Sequence, residues 1–406
     1  MGRQYTRHVG PGVARRLAGR GRRPYNEDRM DSASPHEHLL AVPLEAFEAL
    51  CRKEGQPVYR ACQVFEWIHR KGVLDFLRMS NLPRDLRDTW SRRWSIRTAR
   101  ELSRRVARDG TIKLLLRWPD GATSECVLLS DGRRRTACIS SQVGCPVGCA
   151  FCASGLTGLQ RQLTAGEIVE QVLWIRALAE TGGKTPEQVD DDGQAASDSA
   201  RVAPARLSHV VFMGLGEPLA NYNNVIRAIR ILNADWGPNL AARHITISTV
   251  GLPGPIKRLA DEKLQVNLAL SLHAPTDALR AELIPWAQRV RLDALVESAR
   301  AYFERTGREV TVEYLLLAGV NDQPEHAHQL VKLCRRMRCN VNLIRYNPVA
   351  GLPYERPTSY AAHRFLERLR ERGINAHIRR SRGLDIEAAC GQLRRHVAAG
   401  TDKIRV

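Results

Sequence analysis

The stretch Gly144–Cys152 reads GCPVGCAFC and places Cys145, Cys149 and Cys152 in a C-x3-C-x2-C spacing. The two glycines and the proline within it predict a loop. A structural zinc site normally takes four ligands, and no paired cysteine or histidine arm lies nearby to supply the fourth. A [4Fe-4S] cluster held by three cysteines instead keeps one iron open for a substrate or cofactor. The spacing therefore favours such a cluster, with a zinc knuckle or unliganded buried cysteines as the simpler alternatives.

The composition of the whole chain indicates a large protein of a reducing compartment. Its 406 residues, 43% of them hydrophobic, are ample for a core. The ten cysteines are thinly spread apart from the loop, which fits a protein without structural disulfides. No apolar run is long enough to span a bilayer, and no basic stretch precedes a signal-peptide core. We therefore expect a cytoplasmic protein without a membrane partner.

The charge balance indicates a polyanionic partner. The formal net charge is +19, and much of it is carried by arginine, whose planar guanidinium suits phosphate. Nucleic acid is the commonest partner of this kind. Because an arginine-rich composition throughout the chain would explain part of the excess, charge alone gives only general support for RNA or DNA binding.

Three segments precede the cysteine loop. Residues 1–40 are rich in arginine, with scattered Gly and Pro and no apolar periodicity, and predict a disordered basic arm. Residues 41–99 predict a small helical accessory domain that binds RNA. Its first apolar side chains recur at helical spacing: Leu44, Phe47, Leu50 and Cys51. Residues 100–137 alternate polar and apolar side chains between turns at Pro119–Gly121 and Asp131–Gly132, which predicts a β-hairpin extension.

From residue 138 to 393, helical and strand patterns alternate, which predicts a parallel α/β sheet. The predicted strands are His209–Met213, Ile245–Ser248, Val266–Leu272, Val310–Leu316, Asn340–Ile344 and Asn375–Ile378. The predicted helices are Ala165–Glu180, Asn224–Asn233, Leu292–Thr306, Glu325–Met337 and Tyr360–Arg372. About six β/α units imply a sheet that is either open and doubly wound or closes as a barrel. Residues 181–206 interrupt the alternation and predict a disordered insertion, and 394–406 predict a basic tail.

The distinctive short sequences fall where the predicted strands end. They are the cysteine loop, Met213–Pro218, Ser248–Gly251, Ser271–Ala274 and Tyr346–Pro348. Ligands of parallel sheets bind at the carboxyl ends of the strands. We therefore expect these segments to converge on one pocket.

With these blocks in hand, the sequence resembles the RlmN/Cfr family of radical-SAM RNA adenine methyltransferases, above all its RlmN branch, from about residue 42 to 393. The three-cysteine spacing alone would indicate only the radical-SAM superfamily. The blocks that narrow the resemblance are Cys138–Cys145 (CISSQVGC), Met213–Pro218 (MGLGEP), Ser271–Ala274 (SLHA) and, most specifically, Arg382–Leu393 (RGLDIEAACGQL). The resemblance implies a radical-SAM partial (β/α)6 barrel, preceded by a small N-terminal helical accessory domain and a β-hairpin lead-in.

The resemblance implies two cofactors, a [4Fe-4S] cluster and S-adenosylmethionine (SAM), with two molecules of SAM used per turnover. Cys145, Cys149 and Cys152 would ligate the cluster. Seven residues at strand ends would bind SAM: Gly216, Glu217, Ser248, Ser271, Leu272, His273 and Asn347. Glu217 can accept a hydrogen bond from the methionyl ammonium, and glycine at 216 lets a ligand approach the backbone. The polar side chains suit ribose, carboxylate and adenine.

The resemblance also implies a reaction at an adenine carbon that is not nucleophilic. Cys390, on a mobile C-terminal loop, would take a methyl group from one SAM as a thiolate. A radical derived from the second SAM would remove hydrogen from that S-methyl group, and the resulting carbon radical would add to the base. Glu125 would take a proton from the adduct, and Cys138 would resolve it by forming a disulfide with Cys390. Cys126, next to Glu125, should point to the opposite face of its strand.

By the same resemblance, the substrates are an adenine in the peptidyl-transferase loop of 23S rRNA and the adenine 3′ of the anticodon in tRNA, both methylated at C2. A Cfr-type enzyme would methylate C8 of the same rRNA base, and a non-enzymatic iron–sulfur RNA-binding protein would need neither Cys390 nor Glu125. The basic clusters Arg379–Arg382 and Arg394–His396 would lie near RNA phosphates. A flavodoxin or ferredoxin would supply the electron, and we expect a monomer.

Overall fold

The structure is a computed structural model that describes residues 37–183 and 203–393. The predicted basic arm (1–40) lies almost wholly outside these ranges, as does most of the predicted insertion (181–206). The predicted basic tail (394–406), with the cluster Arg394–His396, is outside them too.

A ten-stranded sheet organises the described residues. Its first strands form an antiparallel meander: β3 Arg100–Val106, β4 Ile112–Arg117, β5 Thr123–Asp131 and β6 Arg134–Cys138. From β6 onward the neighbours are parallel: β9 His209–Phe212, β10 Ile245–Thr249, β11 Asn267–Ser271, β12 Val310–Leu316, β13 Cys339–Arg345 and β14 Ala376–Arg379. Two small pairs lie apart from it: β1 Glu37–His38 with β2 Trp94–Ser95, and β7 Gln142–Gly144 with β8 Leu159–Gln162.

The helices fall into two groups. Three precede the sheet: α1 Leu44–Lys53, α2 Tyr59–His69 and α3 Arg84–Arg93. The others connect successive parallel strands: α4 Ala165–Glu180, α5 Tyr222–Asn233, α6 Pro253–Asp261, α7 Asp277–Leu283, α8 Leu292–Thr306, α9 Pro324–Cys334 and α10 Ser359–Arg370. Strands that neighbour in the parallel sheet follow each other in the chain, so the predicted six β/α units are confirmed. None of the helices in the described ranges combines the length and apolar character needed to cross a membrane.

The parallel sheet curves around a central cavity of about 830 Å³, which we call the barrel lumen. Each of its seven strands contributes at least one lining side chain, among them Thr136, Val211, Thr246, Ala269, Thr311, Asn342 and His377. A sheet that lines one cavity across seven strands must curve. Within the described residues β14 and β3 remain free edges, so the barrel is partial, as the resemblance implied.

Local sequence explains the boundaries that were predicted well. Helix α4 begins with a capping box, in which Glu167 N donates to Thr164 Oγ1 at 3.2 Å and Thr164 N donates to the Glu167 carboxylate at 2.8 Å. Helix α8 ends before Gly307, whose φ of +69° is the left-handed conformation that suits glycine. Helix α6 was missed because its first turn, Pro253–Pro255, reads as a loop, although proline is tolerated there. The short helix α7 was missed as well.

The N-terminal helices share a core with the barrel. The ring of Phe47 lies 5.2 Å from that of Trp90 and 5.8 Å from that of Phe65, and Phe65 in turn lies 5.0 Å from Trp236 of the barrel segment. All described residues belong to one unit. Strand β6 is both the last strand of the meander and the first of the parallel sheet, so the expected boundary at residue 137 falls inside a strand. The division into domains at the expected positions stays a prediction.

Glu170 on α4 joins the helical segment to the barrel, and its loss should destabilise the protein strongly. Its fully buried carboxylate accepts hydrogen bonds from Thr98 N, Thr98 Oγ1 and Ala99 N at 2.7–3.1 Å. Because Glu170→Ala would leave these buried donors unpaired, we expect it to lower the free energy of unfolding by about 3 kcal/mol. Urea denaturation measures this. Glu180→Ala, at the half-exposed end of the same helix, should change stability by less than about 0.5 kcal/mol; equal losses would contradict this role for Glu170.

Candidate active site

The cysteine loop lies between β7 and β8 and is held at both ends. Gly144 has a φ of +81°, and a Cβ there would lie 1.9 Å from the carbonyl oxygen of Gly158, so only glycine fits. Cys145 N donates to the same carbonyl at 3.2 Å. Ala150 N donates to Leu283 O at 2.9 Å, which ties the loop to α7.

The three cysteines line a second cavity, of about 160 Å³, which we call the cysteine cavity. All three are free thiols. Burial raises the pKa of Cys145 to about 12 and raises the pKa values of Cys149 and Cys152, and neighbouring thiolates add to the effect. Free thiolates are therefore costly here, and ligation to a cationic cluster would offset that cost. Within the described ranges, no three His, Cys, Asp or Glu side chains are placed to hold a single metal ion.

Glu217 and Gly216 form the turn after β9 and line the same cavity. The Glu217 carboxylate accepts from Val250 N at 2.7 Å and from Leu219 N at 3.0 Å. Burial nevertheless raises the pKa of Glu217 to about 7. Gly216 has a φ of +103°, and a Cβ would lie 2.6 Å from the side chain of Gln142. Glycine is therefore needed here for close packing on Gln142.

Three further predicted ligand-binding residues meet in the cysteine cavity: Ser248, Ser271 and His273. The hydroxyl oxygens of Ser248 and Ser271 are 3.3 Å apart. Leu315 N donates to Nδ1 of His273 at 3.0 Å, so the neutral ring carries its proton on Nε2. Burial lowers the pKa of His273 to about 3. The site therefore presents a neutral imidazole and two hydroxyls.

Two residues predicted to bind SAM lie elsewhere. Leu272 is 1% exposed, and its side chain packs in the main core. Asn347 lines the barrel lumen, and its Nδ2 donates to Cys390 O at 3.1 Å while its Oδ1 accepts from Ser381 Oγ at 2.9 Å. The structure thus places Asn347 where it holds the C-terminal loop.

Cys390 lies where the two cavities meet, because it lines both. Cys138, at the end of β6, lines the lumen. Burial and the neighbouring Cys390 raise the pKa of Cys138 to about 12. The Cys390 loop is fastened to the cysteine loop, since Ala153 N donates to Gly391 O at 2.8 Å. Cys390 is therefore close to the predicted cluster ligand Cys152, and Cys138 is close to Cys390.

Glu125 lies on β5, on the lumen-facing side of the strand, but is absent from the walls of both cavities. It is 1% exposed, and its carboxylate pairs with Lys113 Nζ at 3.1 Å. Lys113 also donates to Glu387 O at 3.0 Å, three residues before Cys390. Glu125 is therefore connected to the Cys390 loop through Lys113. Cys126 points to the opposite face and is buried in the main core, as predicted.

Two arginines lie at the site although the sequence analysis did not place them there. Arg280, on the missed helix α7, is 1% exposed and donates to Leu272 O at 3.2 Å. Its charge opposes part of the rise that burial causes in the pKa of Cys149. Arg379 was expected near RNA phosphates, yet it is half-buried and lines both cavities. Its guanidinium lies beside Cys390, which raises its pKa. The period-two alternation with His377 on β14 could have predicted that Arg379 faces the lumen.

Comparisons with known proteins agree with this geometry. The family model described as the Radical SAM superfamily matches residues 139–331, and the model described as the ribosomal RNA large subunit methyltransferase N-terminal domain matches residues 38–96. A probable dual-specificity RNA methyltransferase RlmN of Rhodopirellula baltica is 42% identical, over 90% of this chain and 93% of that protein. The chain belongs to the RlmN family of radical-SAM RNA methyltransferases.

Further members of the RlmN family support the assignment over nearly the full chain. The probable dual-specificity RNA methyltransferase RlmN of Thermosynechococcus vestitus is 46% identical, over 88% of this chain and 98% of that protein. A crystal structure of a radical SAM methyltransferase from Sphaerobacter thermophilus superposes with a TM-score of 0.81, at 42% identity, over 88% of this chain and 99% of that one. The predicted family and fold are confirmed. As a radical-SAM enzyme, the chain uses a [4Fe-4S] cluster and SAM.

Proposed function

We propose that the chain methylates C2 of an adenine in the peptidyl-transferase loop of 23S rRNA and C2 of the adenine 3′ of the anticodon in tRNA, using a methyl group carried on Cys390. The observation that supports this most is the position of Cys390 at the junction of the cysteine cavity and the lumen. The relatives at 42–46% identity bear the name dual-specificity RNA methyltransferase. The net charge of +19 fits an RNA partner.

The residues of the cysteine cavity hold the cofactors. Cys145, Cys149 and Cys152 would ligate the cluster. The strand-end residues Glu217, Ser248, Ser271 and His273 would bind SAM, and Gly216, Leu272 and Asn347 would shape the surroundings. When bound, the cluster and SAM supply a carbon radical that removes hydrogen from an S-methyl group. A flavodoxin or ferredoxin supplies the electron, and the enzyme acts as a cytoplasmic monomer.

Cys390 and Cys138 divide the transfer into two covalent steps. The Cys390 thiolate, which lies beside the guanidinium of Arg379, would first form a carbon–sulfur bond to the methyl group of SAM as S-adenosylhomocysteine leaves. After loss of one hydrogen atom, the carbon on Cys390 bonds to adenine. Cys138 then attacks the Cys390 sulfur, so that a disulfide forms and the carbon–sulfur bond breaks. Overall the adduct gives up one proton, which Glu125 accepts, and one electron, which the bound cluster would accept. An external reductant then restores both thiols.

Glu125 accepts the proton that the adenine carbon loses from the adduct. Its replacement should therefore slow catalysis without unfolding the protein. Glu125→Gln keeps the shape of the side chain but removes the base, so we expect the methylation rate to fall by about 10² to 10⁴-fold. Lys113→Met removes the cation of the 3.1 Å pair and leaves the buried carboxylate without that opposite charge, so it should lower thermal stability more than Glu125→Gln does. Single-turnover methylation and thermal unfolding measure the two effects. A Glu125→Gln enzyme with the normal rate would exclude this role.

The function is tested by expressing the chain in a host that lacks its own enzyme. Mass spectrometry of nucleosides from its rRNA and tRNA reads both the modified position and the RNA that carries it. We expect 2-methyladenosine at the two stated positions. Methylation at C8 would contradict the C2 assignment, and unmodified adenine in both RNAs would contradict the enzyme as proposed.

A further inference from the structure

Two buried side-chain oxygen atoms at the lumen accept no hydrogen bond from the described residues. Glu313, on β12, is 3% exposed, and one of its carboxylate oxygens accepts from Asn342 Nδ2 at 3.0 Å. Oε2 of Glu313 and Oδ1 of Asn342 are shielded from solvent and have no hydrogen-bond partner among the described residues. Unpaired buried acceptors are costly and rare in native folds. A ligand that brings donors would satisfy both.

These two oxygens lie close to the reacting groups of the site. Glu313 and Asn342 are cross-strand partners on β12 and β13, and both line the lumen. Glu313 also lines the cysteine cavity, as do Cys390 and Arg379. The charge of Arg379 acts on both Cys390 and Glu313. The wall beside Cys390 therefore presents a guanidinium donor next to a pair of acceptors.

We propose that Glu313 and Asn342 bind the exocyclic amino group of the substrate adenine and thereby select this base. This inference rests on the proposed function. The amino group offers two N–H donors, which match the two unfilled acceptors, and Arg379 can donate to the ring nitrogen next to that group. A carbonyl at this position, as in guanine or uracil, would face two acceptors and be rejected.

The test compares RNA that carries adenosine at the methylated position with the same RNA carrying purine riboside, which lacks the amino group. The RNA is the rRNA fragment or tRNA methylated in the experiment above, and kcat/KM is measured with the fully loaded enzyme. The wild type should prefer adenosine by about 10 to 100-fold. Glu313→Gln, which turns an N–H toward the amino group, should reduce this preference to about threefold or less. Any difference in intrinsic reactivity between the two bases affects the wild type and the variant equally, so it cancels when their preferences are compared.

Two other variants make the comparison specific. Glu309→Gln removes an exposed carboxylate, paired with Arg338 just before the same strand, and should keep the wild-type preference. Asn342→Ala removes the second acceptor and should also reduce the preference for adenosine over purine riboside. Because Asn342 is less buried than Glu313, this variant tests the inference even if Glu313→Gln folds poorly.

Equal losses on both RNAs in the Glu313 and Asn342 variants, or no preference in the wild type, would overturn the inference. A raised KM for SAM with unchanged preference would mean that the pair binds the cofactor, and unchanged kinetics would mean that it holds only water; both contradict it. Failure of the wild type to methylate either RNA counts against the proposed function itself.

Discussion

Cys390→Ala should abolish RNA methylation, with a loss of more than about 10⁴-fold, because alanine cannot carry the methyl group between the two cavities that Cys390 lines. The cluster ligands are untouched, so iron and sulfide content should stay normal. Methylation is measured with SAM labelled in its methyl group, and the peptide that contains residue 390 should lose its methyl mass increment.

The matched control is Cys62→Ala, which removes an exposed cysteine on α2 that lines neither cavity. It should methylate RNA at the wild-type rate. A Cys390→Ala enzyme that still methylates RNA would show that the methyl group reaches the base by another route.

Cys138→Ala should trap the enzyme covalently bound to RNA. Cys138 lies beside Cys390 in the lumen, where its thiolate can attack the Cys390 sulfur. Without it, the carbon–sulfur bond of the adduct has no thiol to break it, so protein–RNA conjugate should accumulate to about one equivalent of active enzyme. A denaturing gel with labelled RNA shows the conjugate, and nuclease digestion with mass spectrometry locates it at Cys390.

Cys126→Ala is the control for this experiment. Cys126 lies on the neighbouring strand β5, is as buried as Cys138 and faces the opposite side. It should turn over without conjugate. Free turnover by Cys138→Ala, or conjugate from both variants, would contradict the resolving role.

Much of the fold could be predicted from sequence because its signals are local. The bounds of α8 and β12 match the prediction, since apolar periodicity, a terminal glycine and β-branched residues act within one element. The convergence of the cysteine loop and the polar strand ends on one pocket was also predicted correctly. Once strands are parallel and consecutive, their carboxyl ends meet at one edge of the sheet.

The features that could not be predicted depend on distant partners. Arg280 is held by backbone carbonyls of other segments, so nothing near it in sequence distinguishes it from a surface arginine. The carboxylate of Glu125 meets Lys113 only through the register between β4 and β5. Glu313 appears within a strand as an ordinary alternating polar residue, and only the curvature of the sheet shows that it faces the barrel lumen.

The number of deuterium atoms that remain in the transferred methyl group tests the central claim most directly. The enzyme is supplied with SAM whose methyl hydrogens are all replaced by deuterium, and the product adenine is analysed by mass spectrometry after several turnovers. Transfer through Cys390 removes one deuterium before the carbon bonds to the base, so the account predicts a product methyl group that carries two deuterium atoms and one hydrogen. A product that retains all three would mean direct transfer from SAM and would contradict the account.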